Sequence, residues 1–197
     1  MLSLLIDLER CVGCMACTVA CKMENNLPVG NNNRQVSTIG PVGSFPDNLR
    51  LYYVPRGCMH CKEPICTVMC PTGANSARED GLVITDTETC IACGMCAANC
   101  PYGALSVNQE KGAATKCELC RALTDRGQRP SCVKHCKAHA LFFGSIDDSQ
   151  SDIAQYLNQN NNNERAMHFL EGGGTQPTVV YLRPKCGIED GEIEGLF

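Results

Sequence analysis

Sixteen of the seventeen cysteines fall into four groups of four. Group three, Cys90, Cys93, Cys96 and Cys100 followed by Pro101, has the spacing C-x-x-C-x-x-C-x-x-x-C-P. Group two, Cys58, Cys61, Cys66 and Cys70 before Pro71, carries two extra residues ahead of its third cysteine. Group one, Cys11, Cys14, Cys17 and Cys21, repeats the spacing but has Lys22 in place of proline. Group four is looser: Cys117 and Cys120, then eleven residues, then Cys132 and Cys136. In such a run three close thiolates wrap one 4Fe–4S cluster and the fourth reaches to another. The proline ends the short turn on which that fourth thiolate leaves. A zinc site needs only four ligands and has no use for the tandem arrangement. With cysteine at all sixteen positions, four 4Fe–4S clusters are expected rather than a three-iron centre.

The composition supports metal over disulfides. So many cysteines in 197 residues would suit a small secreted scaffold. Yet Met1–Arg10 carries acids and leads straight into Cys11, so no signal peptide is expected. Neighbours as close as C-x-x-C also suit metal better than disulfides. No apolar run reaches the length of a membrane helix, so direct membrane insertion is not expected. A net charge of −4 gives no nucleic-acid signal. With no Trp and 5 % aromatics, a largely inorganic interior is expected.

Short strands are expected to carry the groups. Leu2–Ile6 precedes group one, Leu49–Val54 group two and Leu82–Thr85 group three; Gly103–Val107 and Ala140–Phe143 follow groups three and four. Residues 24–50 are turn-rich and read as a long surface excursion, either a partner contact or a solvated insertion. Beyond residue 145, Asp147–Leu157 reads as a helix and Thr178–Leu182 as a strand. Cys186 belongs to no group and is expected to be an idle thiol.

This order suggests a pairing. Groups two and three, with strands before and after group three, make one bacterial-ferredoxin-like unit over 58–107. Group one, preceded by a strand, and group four, followed by one, make an outer unit of 1–57 with 108–144, its 22–57 segment an insertion. Residues 145–197 form a C-terminal tail. The expected fold is α+β, two interleaved ferredoxin-like units with short strands and helices and long loops. Exchange of the last cysteine gives four ligand sets. They are Cys11, Cys14, Cys17 with Cys136; Cys58, Cys61, Cys66 with Cys100; Cys90, Cys93, Cys96 with Cys70; and Cys117, Cys120, Cys132 with Cys21. The rival pairing, one with two and three with four, stays open but breaks the strand symmetry.

No catalytic residue is expected. His60, His135, His139 and His168 form no triad with a nucleophile, and His60 and His135 read as filler or supports for the cysteines around them. There is no Walker loop and no dinucleotide fingerprint. Group four is basic, with Lys116, Arg121, Arg126, Arg129, Lys134 and Lys137 against Glu118 and Asp125. That charge could raise a nearby potential, dock an anionic surface or merely be solvated. The chemistry is single-electron transfer.

Longer stretches carry a family resemblance. They include Cys11-Val-Gly-Cys-Met-Ala-Cys17, Asn25-Asn-Leu-Pro28, Cys58-Met-His-Cys61, Cys90-Ile-Ala-Cys-Gly-Met-Cys96, Cys100-Pro-Tyr-Gly-Ala104, Lys116-Cys-Glu-Leu-Cys120 and Gly174-Thr-Gln-Pro-Thr178. The chain resembles the four-cluster electron-transfer subunits of molybdopterin oxidoreductases, the dimethyl sulfoxide reductase superfamily. The resemblance implies a large catalytic partner holding molybdenum or tungsten on a bis-pterin guanine dinucleotide. The cluster of Cys11, Cys14, Cys17 and Cys136 would face that partner. A membrane quinone-reactive subunit accompanies many relatives, and others are soluble dehydroxylases or transhydroxylases. A polyferredoxin of a formate dehydrogenase, hydrogenase or carbon monoxide dehydrogenase system would share the four groups. The expected compartment is the cytoplasm, or export in the folded state with a partner bearing a twin-arginine signal.

Overall fold

Every cysteine group sits between short regular elements, so each loop is pinned at both ends. The computed structural model describes residues 1–167 and 174–185. Strand β1 (Leu2–Asp7) leads into group one, whose last two cysteines lie on helix α1 (Ala16–Asn25). A hairpin of β2 (Arg34–Val42) and β3 (Arg50–Gly57) precedes group two, and α2 (Ile65–Val68) carries Cys66. The hairpin β4 (Asn75–Ala77) and β5 (Val83–Thr85) leads to group three, with Cys96 on α3 (Met95–Ala98). The hairpin β6 (Ser106–Asn108) and β7 (Ala113–Thr115) leads to group four, with α4 (Arg121–Thr124) inside it and Cys132 on α5 (Ser131–Lys134). Then come β8 (Leu141–Ser145), α6 (Asp152–Asn158), a 3-10 helix over Gln159–Arg165, β9 (Ala166–Met167) and β10 (Val180–Leu182). The fold is α+β.

The largest sheet has the order β8-β1-β10-β9. Strand β1 runs antiparallel to β8 and parallel to β10, and is buried on both faces, which is why it reads as an unbroken apolar run. Leu4 and Ile6 face the cysteines together with Leu8, Met59, Leu82, Leu119 and Tyr181. Leu5 faces the other way, onto Ile153 of α6. Ser151 caps α6, its Oγ accepting from the Ala154 N–H at 3.2 Å. Helix α1 packs on α5, and α2 on α3. Among the described residues no helix is long and apolar enough to cross a membrane.

Two expectations need correction. The interior is more aliphatic than the lack of aromatics suggested, because β1 and its neighbours bury a full set of Leu, Ile and Val. Residues 24–50 are also not simply a surface excursion. Asn31, Asn33 and Arg34 are buried, and β2 pairs with β3 over most of its length. The tight turn at 26–33 is clamped by Lys22, whose Nζ donates to Pro28 O at 3.0 Å, Asn31 O at 2.7 Å and Asn32 Oδ1 at 3.2 Å. Asn31 Nδ2 reaches Ser106 Oγ at 2.8 Å and Val107 O at 3.2 Å. Polar side chains here satisfy buried backbone, a role that composition disguises as loop character. Cys186 and His168 lie outside the described residues.

Candidate metal centres

The four groups share one backbone turn. The residue two after each first cysteine is left-handed in every case: Gly13 (φ 66°), His60 (φ 44°), Ala92 (φ 54°) and Leu119 (φ 49°). Only one of the four is glycine, and the other three hold a conformation that costs roughly 1–2 kcal/mol each. Such strain persists where surrounding structure or function demands it. At Gly13 the demand is also steric, since a Cβ there would lie 2.4 Å from the Tyr53 ring. A second turn follows the fourth cysteine of groups two, three and four, with Gly73, Gly103 and His139 left-handed and each N–H returned to the carbonyl of Cys70, Cys100 or Cys136. Group one departs from this. With Lys22 in place of proline, α1 runs on to Asn25 and ends at the left-handed cap Asn26.

These turns bring cysteines from different groups together. One cavity is lined by Cys11, Cys14, Cys17 and Cys136. A second is lined by Cys58, Cys61, Cys66 and Cys100, with Tyr102 and Thr175 among the other residues around it. Around Cys21 the neighbouring thiols are Cys117, Cys132 and Cys120. In the third group Cys90 lies beside Cys96, and Cys93 is exposed. The remaining cysteine, Cys70, is half-buried, its sulfur faced by the N–H groups of Asn75, Thr72 and Ala74. Neighbouring thiols also connect one location to the next: Cys132 with Cys17, Cys58 with Cys117, and Cys66 with Cys96. All sixteen are free thiols. Among the described residues no three His, Cys, Asp or Glu side chains converge closely enough for a single metal ion. Eight of the thiols line the two cavities.

The donor set fits a highly charged inorganic group. Burial pushes the Cys58 thiol up to about 12 and Cys132 up to about 12, and with less burial Cys66 rises to about 11. Burial and the Cys117 and Cys132 thiols push Cys21 higher still. Such thiols keep their protons until metal competes for them. Cys70 moves the other way: burial opposes ionisation, but the N–H groups turned onto its sulfur lower it. Donors to sulfur recur, with Ala114 N–H on Cys90 at 3.4 Å, Ala140 N–H on Cys136 at 3.3 Å and Asn25 Nδ2 on Cys21 at 3.5 Å. Hydrogen bonds to ligand sulfur are a main lever on cluster potential.

Two cations are buried among the sulfurs: Lys116, which the sequence placed among the basic residues of group four, and Arg34, which it did not single out. Lys116 and Arg34 are each 2 % exposed. Lys116 Nζ donates to Val83 O and, at 3.4 Å, to Cys117 O. Its charge favours the thiolates of Cys58 and Cys66. Other basic residues of group four are paired outward, Arg121 with Glu118 and Arg129 with Asp152, while Asp125 takes Arg78. His60 is fully buried and accepts from Val83 N–H at 3.2 Å through Nδ1. Burial, Lys116 and Arg34 together hold its pKa well below the usual value, so it packs as a neutral ring. His135 donates from Nδ1 to Ser131 O at 2.9 Å, a helix-internal bond. Residues 174–182 strap group two: Thr178 Oγ1 donates to His60 O at 2.9 Å, and Tyr102 OH meets Thr175 Oγ1 at 2.7 Å.

The chain matches the 4Fe-4S dicluster domain family twice, over residues 10–74 and over residues 49–146. It is 36 % identical to a subunit of the tetrathionate reductase of Salmonella typhimurium, over 99 % of this chain and 76 % of that protein. It is 33 % identical to a putative dimethyl sulfoxide reductase iron-sulfur subunit of Halobacterium salinarum, over 91 % and 78 % respectively. The thiosulfate reductase electron transfer subunit of Salmonella typhi is 39 % identical, over 75 % of this chain and 77 % of its own length.

Proposed function

The chain belongs to the iron–sulfur electron-transfer subunits of the molybdopterin oxidoreductases, and from that premise we propose that it holds four 4Fe–4S clusters and relays single electrons to or from a molybdopterin catalytic subunit. It is an electron-transfer subunit rather than a catalytic one. When bound, each cluster supplies one-electron chemistry at a potential set by its surroundings. The residues of the chain hold, insulate and bias those groups.

The proposed ligand sets are Cys11, Cys14, Cys17 and Cys136; Cys58, Cys61, Cys66 and Cys100; Cys90, Cys93, Cys96 and Cys70; and Cys117, Cys120, Cys132 and Cys21. The observation that carries the reading is that two cavities are each lined by three cysteines of one group and the last cysteine of another. The repeated left-handed turn in all four groups supports four sites of one kind. Packing of α1 on α5 and α2 on α3, and pairing of β1 with β8, favour an inner unit of 58–107 set within an outer one of 1–57 and 108–144. Neighbouring thiols would then order the sites from group one to group four, then two, then three.

The partner is proposed to carry molybdenum or tungsten on a bis-pterin guanine dinucleotide, as the relatives' kinship suggests. Elemental analysis of the complex purified from its native source tests both points. The expected result is about sixteen iron atoms for this chain, four at each of four sites, together with molybdenum or tungsten. Nickel without molybdenum would move the chain to a hydrogenase or carbon monoxide system, and zinc in place of iron would overturn the reading.

A further inference from the structure

We propose that the Arg34 guanidinium is a fixed counter-charge shared by groups one and four, which raises the reduction potentials of the two clusters held there and leaves that on Cys90, Cys93 and Cys96 unaffected. The inference rests on the four-cluster reading above. Arg34 stands at the first position of β2, 2 % exposed, and its Nε and Nη1 are buried without a hydrogen-bond partner. Among the described residues no carboxylate forms an ion pair with it. The groups that oppose the cost of burying its charge are Cys132, Cys117, Tyr181 and Cys17, and the Tyr181 hydroxyl is already donated to Pro55 O at 2.9 Å.

Unpaired burial of a guanidinium is among the costlier things a fold can do. The arrangement makes sense only where strong negative charge stands beside it, as thiolate-ligated clusters provide. An electron arriving at such a site adds one negative charge, and a fixed cation nearby favours that state, so the potential rises. Lys116 differs, since two backbone carbonyls accept from its ammonium. The position of Arg34 is fixed from both sides. Lys22 clamps the turn before it. At Gly57 a Cβ would come within 3.5 Å of its Nη2.

The test is a potentiometric EPR titration of the purified complex carrying Arg34→Met or Arg34→Lys. Arg34→Met is expected to lower the midpoint potentials of the group-one and group-four clusters, with the group-three signal in place. Arg34→Lys, which keeps the charge, is expected to restore both. If no midpoint moves in an iron-replete Arg34→Met protein, or if Arg34→Lys falls as far as Arg34→Met, the counter-charge role is wrong. Should Arg34→Met fail to load iron, Arg34→Gln, equally neutral but polar, is compared with Arg34→Lys under the same criterion. Fewer than four cluster signals in the unmodified complex would defeat the four-cluster reading instead.

Discussion

Groups one and four meet across the whole cysteine framework, through β1 against β8 and α1 against α5, whereas groups two and three are joined by a short link that folds on itself as the β4–β5 hairpin. The first region is enclosed by the four-stranded sheet and buries Cys17, Cys21, Cys117 and Cys132 together with Arg34. The second relies on four-residue helices and two-stranded hairpins; each region exposes one cysteine, Cys14 in the first and Cys93 in the second, so the scaffolds differ more than the burial of their thiols does. The difference shows that four-cysteine groups of one kind can be carried by two kinds of scaffold. Groups one and four, distant in sequence, are brought together by the four-stranded sheet and by α1 against α5, whereas groups two and three, close in sequence, are joined by a local hairpin and by α2 against α3.

The sharpest mutational probe of that contrast is Asp7→Ala. Asp7 ends β1 and is buried, accepting from Tyr156 OH at 2.7 Å, Arg165 Nη2 at 3.1 Å and the Glu9 N–H at 3.0 Å. Removing one partner of a buried pair costs about 3–5 kcal/mol. Denaturant titration of the iron-loaded chain is expected to show that loss, and hydrogen exchange is expected to place it in β1, β8 and β10. Equal loss of protection in β4 and β5 would show that the two regions do not behave separately.

A smaller effect is expected from Asn31→Ala, which removes hydrogen bonds to Ser106 Oγ and Val107 O. The cost should be about 1–3 kcal/mol, since it leaves a buried acceptor unsatisfied. Because Asn31 ties the turn before Arg34 to the strand after group three, exchange should rise on both sides. A change confined to residues 26–33 would show that this tie does not join the regions.

Legibility in the sequence followed the chemistry. The cysteine groups could be read because ligand spacing is set by the cluster, and the flanking strands because β1, β5, β8 and β10 are apolar runs. The left-handed turn was visible only at Gly13. Ala92, Leu119 and His60 adopt it with no residue-type signal, because tertiary context rather than propensity holds them. Arg34 could not be found either, since Cys117, Cys132 and Tyr181 lie far along the chain in segments that fold back onto it. The asparagines at 31–33 read as loop, yet two of them are buried and satisfied by distant strands. Lys22 looked like a departure from a motif, and it is instead the clamp that makes the following turn possible.

The claim on which the rest depends is that each site takes its fourth thiolate from the partner group. EPR of the reduced complex carrying Cys136→Ser, set beside the same complex carrying Cys132→Ser, tests it most directly. The expected result is that Cys136→Ser perturbs the cluster of Cys11, Cys14 and Cys17, while Cys132→Ser perturbs a different one, that of Cys117 and Cys120 with Cys21. Loss of the same signal in both variants would contradict the account.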